Sequence, residues 1–359
     1  MTTRLSRRAA LGGVGAALAA PALAQHPHHG QNFERLNQPG RVGLPALALE
    51  HAVYDSPAPK AAQPGRWAVR APLPLPRTEM AWAAELNGKL HLVGGYAEQR
   101  VDMPYHHVYD PARDAWSEAA KLPRGANHVG VAAHAGRLYA FGGFVEQNRF
   151  PHDENFVWGT EGDRWTKIRP LPRACGAIAC IALGDAIHLV GGAVGNTQET
   201  RKSVDWHLVY DVKEDRFREA SPFPTARDHC GIVAHAGVLH LTAGRVDTFH
   251  TNSNLHHSYD PREDRWRFRT PIPTARSGHG AVVHRGRMFC MGGEGTNKVM
   301  GQNEAYDFAR DVWEQYAPML TPRHGVGTAL LGDWIHMAGG GPQMGGGVKS
   351  AIHEAFTLG

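Results

Sequence analysis

One pattern recurs along the chain: a short apolar run that stops at two small residues, usually two glycines. The intervals between successive stops are 48, 49, 52, 49 and 47 residues. The six stops are Gly94-Gly95, Gly142-Gly143, Gly191-Gly192, Ala243-Gly244, Gly292-Gly293 and Gly339-Gly340. A period near fifty indicates units too small to bury their own apolar faces, so successive copies must pack against one another.

A pair of aromatic residues seven positions apart follows the stop in five units. The pairs are Tyr109 and Trp116, Trp158 and Trp165, Tyr210 and Phe217, Tyr259 and Trp266, and Tyr306 and Trp313. Each unit then divides into four short strands, which in the fifth unit are roughly "GHGAVVHRG", "RMFCMGG", "NEAYDF" and "VWEQYAP". These aromatic side chains are expected between neighbouring units, where they supply buried area.

With both markers, the sequence resembles the kelch repeats from about Arg66 to Gly359. The resemblance implies an all-β fold, a six-bladed β-propeller. The sixth unit ends at "IHEAFTLG" without a fourth strand, whereas "GRWAVRAPLP" near the start carries Trp67 in the aromatic position. We therefore expect this N-terminal strand to pair beside residues 351–357 and close the ring.

The first 24 residues have the pattern of an export signal. In "MTTRLSRRAALGGVGAALAAPALAQ", paired arginines precede an apolar run and a small-residue cleavage site. This order predicts a twin-arginine signal peptide over 1–24 and a periplasmic or secreted address. Residues 25–65 form a leader rich in Pro, Gly and His, and residues 66–359 form the propeller.

The net charge gives no argument for a nucleic-acid partner. The signal contains Arg4, Arg7 and Arg8 and no acidic residue, so its removal lowers the formal charge from +4 to +1. We therefore expect no nucleic-acid partner, and no membrane contact after signal removal, since no later segment is long and apolar enough to span. Four cysteines are too few for a disulfide scaffold and are expected to be free and buried.

An arginine near the entry to the first strand recurs in every unit. The six are Arg77, Arg124, Arg173, Arg227, Arg276 and Arg323. In kelch propellers the first strand lines the central channel, so the resemblance implies six guanidinium groups around one channel mouth. There they would bind a carboxylate, because a guanidinium can donate two bonds to one acid group. The alternative is that each arginine bonds carbonyls or acids of neighbouring blades and locks the ring.

Histidines and two acids accompany these arginines. His128, His229, His279 and His324 follow their arginines by one to four residues, and Glu79 and Asp228 lie in the same stretches. His91, His188, His240 and His336 instead share one position in the second strand, which indicates packing. We predict no bound metal and no cofactor, because Asp247, His250 and His256 match no tight ligand spacing. The tract with His26, His28 and His29 would bind metal only weakly.

Four functions remain open. The first is binding of an anionic ligand, an acidic sugar or acidic peptide, by the six arginines and four histidines. The second follows from a resemblance to exported bacterial kelch propellers such as sialic-acid mutarotases, with Glu79, Asp228, His229 and His279 as catalytic candidates. The third is a copper oxidase of the galactose-oxidase kind, whose cysteine–tyrosine ligand pattern is not visible here. The fourth is a scaffold that binds a protein partner through the loops between strands two and three.

Overall fold

Each repeat folds into one four-stranded antiparallel sheet, and six such sheets form the blades of a propeller. The computed structural model describes residues 64–359 except Ala81, Gln198 and Phe249. The predicted all-β, six-bladed fold is confirmed. The predicted signal peptide and the leader up to residue 63 lie outside the described residues.

The strands are numbered in chain order, beginning with β1 (Arg66–Val69). Blade one contains β2 (Ala84–Leu86), β3 (Lys89–Val93), β4 (His106–Asp110) and β5 (Ala115–Ala119). Blade two contains β6 (Gly130–His134), β7 (Arg137–Phe141), β10 (Asn155–Gly159) and β11 (Arg164–Ile168), and its loop ladder is β8 (Phe144–Val145) with β9 (Phe150–Pro151). Blade three contains β12 (Ala179–Leu183), β13 (Ala186–Val190), β16 (His207–Asp211) and β17 (Arg216–Glu219), with β14 (Ala193–Val194) and β15 (Lys202–Ser203) in its loop.

The second half of the chain repeats the arrangement. Blade four contains β18 (Gly231–His235), β19 (Val238–Thr242), β20 (His256–Asp260) and β21 (Arg265–Arg269). Blade five contains β22 (Gly280–His284), β23 (Arg287–Met291), β26 (Asn303–Asp307) and β27 (Val312–Tyr316), with β24 (Glu294–Gly295) and β25 (Lys298–Val299) in its loop. Blade six contains β28 (Gly327–Leu331), β29 (Trp334–Ala338) and β30 (His353–Thr357). One short 3₁₀ turn, Glu98–Arg100, lies in the loop of blade one.

The two ends of the described chain meet in blade six. Strand β1 pairs antiparallel with β30, and Trp67 lies opposite Phe356 with the ring centroids 5.3 Å apart. The Trp67 indole nitrogen also donates to the carbonyl oxygen of Ala317 in blade five, at 2.8 Å. The predicted closure by an N-terminal strand is confirmed.

The aromatic markers lie between blades, as predicted. In blade one, the Tyr109 ring meets His353 of blade six edge-on at 4.4 Å between centroids. The indole of Trp116 donates to the carbonyl oxygen of Ala71, just beyond β1, at 2.9 Å. Burial of such large rings between sheets is the main apolar contact that holds neighbouring blades together.

The second-strand histidines are buried, in agreement with the packing prediction. Each bonds, Nδ1 to Nε2, a histidine at the start of the third strand at 2.8 or 2.9 Å. The four pairs are His91–His106, His188–His207, His240–His256 and His336–His353. The other two blades have no histidine pair at these positions. Blade two has Tyr139 and Asn155 there, and blade five has Phe289 and Asn303.

The first strands surround an axial channel. They enclose a cavity of about 400 Å³ that is lined mainly by alanine, valine, isoleucine and leucine side chains. All four cysteines are free and buried, as expected. In the part of the chain that the structure describes, none of the helical segments has the length and apolarity that a membrane span requires.

Candidate functional site

Four of the six arginines do not line the channel mouth. Arg77, Arg227, Arg276 and Arg323 are fully buried, and each donates to the carbonyl oxygen of the first residue of its own blade's small-residue stop. The same guanidinium groups also form a hydrogen bond with a side chain of the third strand. This side chain is a histidine in blades one and four and a glutamate in blades five and six. Those partners are His107, His257, Glu304 and Glu354. The predicted ring of guanidinium groups at the mouth is therefore corrected: the arginines join strands two and three within single blades.

The other two arginines occupy a different position. The residues that align with the buried arginines in blades two and three are Ala126 and Cys175, two positions after Arg124 and Arg173. Arg124 bonds Glu154 at 2.8 Å, and Arg173 is exposed over the Trp206 ring, with 4.0 Å from its central carbon to the ring centroid. We call the position of the buried arginines the arginine slot. The expectation of one equivalent arginine per blade was wrong, because Arg124 and Arg173 lie two residues before this slot.

In every blade, the residue two positions after the arginine slot has a left-handed backbone conformation. The six are Glu79, His128, Ala177, His229, Gly278 and Gly325, with φ between +50° and +62°. Their backbones bond across blades: the His128 amide donates to the Glu79 carbonyl oxygen, and the Ala177 amide to that of His128, both at 3.0 Å. The turn therefore brings one residue from each blade to the axis at the top of the channel.

Glu79 lies at the centre of a buried polar cluster in this ring. One carboxylate oxygen is 3.0 Å from His128 Nε2, and the other is 3.5 Å from His324 Nδ1. The same His324 nitrogen is 3.5 Å from Glu294, and His324 Nε2 lies 2.9 Å from the Gln343 carbonyl oxygen. The cluster thus joins side chains from blades one, two, five and six.

Arg245 holds the opposite side of the cluster. It donates to Asp228 at 2.9 Å, to Glu294 at 3.1 Å and to His229 Nε2 at 3.1 Å. Asp228 also bonds His229 Nδ1 and accepts from the Ser203 hydroxyl at 2.6 Å. One guanidinium therefore neutralises part of the charge of two buried carboxylates.

Burial and the neighbouring charges set the protonation of these groups. Burial raises the pKa of Glu79, but His324 and His128 outweigh it, so the pKa lies below its usual value. Burial also raises the pKa of Asp228, but the charge of Arg245 outweighs this effect, so the pKa lies below its usual value. Burial and Arg245 lower the pKa of His229 to about 4. Burial lowers the pKa of His324, whereas Glu294 and Glu79 raise it above its ordinary value.

The structure thus gathers five sequence-predicted residues at one mouth: Glu79, His128, Asp228, His229 and His324. It separates His279, which lines the channel cavity below and lies 3.1 Å from the Thr242 hydroxyl. Burial and the neighbouring Arg276 lower the pKa of His279 to about 3. His279 is therefore a channel residue and not a member of the mouth cluster.

Three important side chains were missed from the sequence. Tyr96, Arg245 and Glu294 each follow the small-residue stop directly, and each pairs through its backbone with the residue after the arginine slot. Phe144, Ala193 and Gly341 hold this position in the other blades. Aligning the six units on their stops would have shown that only three blades place a polar side chain there.

The loops between strands two and three cover the cluster. In blade six, the loop of residues 341–350 places the Gly345 amide on Glu294 at 2.8 Å, and a side chain on Gly346 would collide with the Tyr96 ring. Several cluster atoms are buried and, among the described residues, have no hydrogen-bond partner: the Tyr96 and Thr78 hydroxyls, His128 Nε2 and His324 Nδ1. Such groups in a native protein bond water, an ion or a ligand.

Comparisons with known proteins agree with this architecture. The kelch motif model matches residues 275–320. The chain is 27% identical to Kelch-like protein terF of Aspergillus terreus, over 82% of this chain and 69% of that protein. It is also 27% identical to mouse Kelch-like protein 35, over 45% of this chain and 26% of that protein, about a quarter of its length. The solved structure of YjhT superimposes with a TM-score of 0.68 at 14% identity, over 80% of this chain and 96% of that one.

Fold and repeats together define a closed six-bladed β-propeller with its polar cluster at one end of the axis. The protein is a kelch-repeat propeller. The likeness to YjhT concerns the fold alone, because the identity between the two sequences is low.

Proposed function

We propose that this propeller is an exported protein that binds a small acidic sugar at the mouth above Glu79. Buried polar atoms without partners support the proposal most strongly. The Tyr96 and Thr78 hydroxyls are buried without a hydrogen-bond partner among the described residues, and a Cβ on Gly325 would meet both the Thr78 hydroxyl and the Glu79 carboxylate. Hydroxyl-rich ligands supply donors and acceptors together, which such a mixed set of groups requires.

The carboxylates of the cluster suit the hydroxyl groups of a sugar, and the cationic groups at its rim suit a ligand carboxylate. Carboxylates of Asp228 and Glu294 accept bonds from hydroxyls, while Arg245 keeps 12% of its side chain exposed and can face an anion. Arg100, Arg201 and Lys202 add cationic groups on the surrounding loops. Because Glu79 is buried and the Gly345 amide bonds Glu294, binding at this cluster requires the loop of residues 341–350 to move away from Glu294.

A thermal-shift and calorimetric titration with galacturonate and galactose tests the proposal. The two sugars differ by one carboxylate, so the account expects galacturonate to bind more tightly and to raise Tm. Titrations run in a chelator separate sugar binding from any effect of metal ions. Galactose binding at equal affinity would remove the anionic part of the proposal, and no shift with either sugar or with sialic acid would remove the sugar.

The Tyr96→Phe variant provides the sharpest substitution. It removes a hydroxyl that bonds nothing among the described side chains, so stability should stay the same. A hydrogen bond from ligand to this hydroxyl contributes roughly 1 kcal/mol, so galacturonate affinity should fall about fivefold. Arg173→Met is the matched control, since Arg173 is exposed on blade three and should leave affinity unchanged. A proton NMR time course with each bound sugar reports whether its anomers interconvert, which is the mutarotase alternative.

A further inference from the structure

We propose that Glu79, His128 and His229 form a binding site for one divalent transition-metal ion on the propeller axis. This inference goes beyond sugar binding, because the ion would be held whether or not a sugar occupies the mouth. Two histidines and one carboxylate are a common ligand set for zinc and iron(II). It also departs from the sequence-based expectation of no bound metal.

The three side chains converge without rearrangement of the backbone. One potential ligand atom from each residue lies within 4.8 Å of the other two, and all three residues are buried. Metal–ligand bonds of roughly 2.1 Å require ligand atoms no more than about 4.2 Å apart, so atoms separated by the 4.8 Å limit would need to approach by a fraction of an ångström. Side-chain rotation alone provides such a shift.

Both histidines are oriented by an oxygen on the far side of the ring. His128 Nδ1 bonds the Asn127 side-chain oxygen, and His229 Nδ1 bonds Asp228. The Asn127 amide nitrogen donates to Asp102 at 2.6 Å, which leaves its oxygen for His128. Nδ1 of His128 therefore donates to Asn127, and Nε2 is turned towards Glu79. Metal-binding histidines are oriented by partners of this kind.

His128 Nε2 faces the Glu79 carboxylate without forming a hydrogen bond of standard geometry to it. It is 3.0 Å from the Glu79 carboxylate, yet it makes no hydrogen bond among the described residues, and the residue is 2% exposed. A protonated Nε2 would donate to the carboxylate, whereas a neutral Nε2 and the carboxylate oxygen are both acceptors and would repel one another at this distance. A cation between them, either a proton or a metal ion, converts the repulsion into attraction.

The charge of the cluster favours an ion with two positive charges. Three buried carboxylates, Glu79, Asp228 and Glu294, face one guanidinium, Arg245. With neutral imidazoles, the sum is minus two. Uncompensated buried charge is unfavourable, so a divalent ion would neutralise the cluster. Two protons on the imidazoles, including His324, would do the same and are the competing explanation.

Arg245 must give up one hydrogen bond when the ion binds. Its Nη2 donates to His229 Nε2, the nitrogen that would bind the ion. When the ion binds, Arg245 releases this bond and keeps its bonds to Asp228 and Glu294. The guanidinium remains paired throughout, so the exchange leaves no buried charge without a partner.

The test is metal content and calorimetry on the full chain. Protein stripped with EDTA is dialysed against Zn²⁺, Mn²⁺ or Fe²⁺ under nitrogen, and bound metal is measured by plasma mass spectrometry. We expect one ion per chain and a higher Tm. A variant with His26→Ala, His28→Ala and His29→Ala should keep that ion, because it removes only the N-terminal histidine tract.

Substitution at the site distinguishes an ion from protons. His128→Gly preserves the left-handed backbone and should lower Zn²⁺ affinity at least a hundredfold, whereas Ala177→Gly, the matched change in blade three, should leave it unchanged. If His128→Gly does not fold, X-ray absorption of zinc in the triple-histidine variant must show two imidazole ligands. Less than a tenth of an ion per chain, loss of the ion in the triple variant, or full affinity in His128→Gly would overturn the proposal and leave protons as the explanation.

Discussion

The ring at the mouth has two kinds of blade. Blades one, two and four place Glu79, His128 and His229 at the left-handed position, whereas blades three, five and six place Ala177, Gly278 and Gly325 there. The backbone conformation is the same in all six, so the turn does not require a polar side chain. A residue other than glycine at positive φ is strained by about 1 kcal/mol. The polar half therefore retains strained residues whose side chains the fold itself does not need.

The arginine slot shows the opposite behaviour. Arg227 lies in a blade of the polar half and Arg276 in a blade of the other half, yet both are buried and bond the small-residue stop of their own blade. The contact that an arginine at this slot makes with the stop does not depend on which side chain its blade places at the axis. We interpret it as a structural element that connects strands two and three.

The largest expected effect is loss of one buried arginine. Arg276→Met leaves Glu304 buried without its cation, and this should lower the free energy of unfolding by about 3–5 kcal/mol. Arg227→Met should also lower it substantially, since three carbonyl and imidazole bonds are lost. Urea denaturation measures both.

Arg124→Met is the matched control for the arginine series. Its guanidinium is partly exposed and pairs with Glu154 near the surface, so the change should cost less than about 1 kcal/mol. Equal losses in Arg124→Met and Arg276→Met would show that burial at the slot does not distinguish the two positions.

The histidine pairs predict a large dependence of stability on pH. Burial lowers the pKa of His240 and His336 to about 3, and of His188 and His353 to about 4. Between these values and 6.5 the unfolded chain binds more protons than the folded one. Stability is therefore complete above about pH 6.5 and falls towards pH 4.

Blade five provides the design that tests this prediction. It has Phe289 and Asn303 where blade four has His240 and His256, so His240→Phe with His256→Asn copies a natural arrangement. Arg269 and Asp311 also act on His240 and stay in place in this variant. Urea denaturation from pH 7.5 to 4.5 should give a smaller decline in the double variant. An unchanged pH slope would mean that other groups cause the acid lability.

Much of the fold could be predicted because it is repeated. Six stops and five aromatic pairs give the same alignment independently, and Trp67 completes the sixth blade. The site could be predicted only in part. Glu79, Asp228 and the mouth histidines were identified by proximity to the arginines, but side-chain direction depends on the left-handed turn that follows. That turn directs residues at the arginine slot into the blade and the next two towards the axis.

A smaller effect concerns the ring itself. Ala177→Gly relieves a strained alanine and should leave stability unchanged or raise it by less than about 1 kcal/mol. Gly278→Ala introduces that strain and should lower stability by about 1 kcal/mol, since the nearest atom to its new Cβ is 3.5 Å away. Thermal unfolding of the two variants measures the difference. A loss above about 3 kcal/mol in Gly278→Ala would indicate a steric clash that the ring geometry does not contain.

The central claim is that the polar side chains at the left-handed position bind ligand, whereas Ala177, Gly278 and Gly325 at the same position only form the turn. Isothermal titration of galacturonate into wild type, Glu79→Gly and Ala177→Gly tests this most directly, because both substitutions put glycine at the same left-handed position. The account predicts that Glu79→Gly loses measurable binding and that Ala177→Gly binds like wild type. Binding of equal strength in both variants would contradict it.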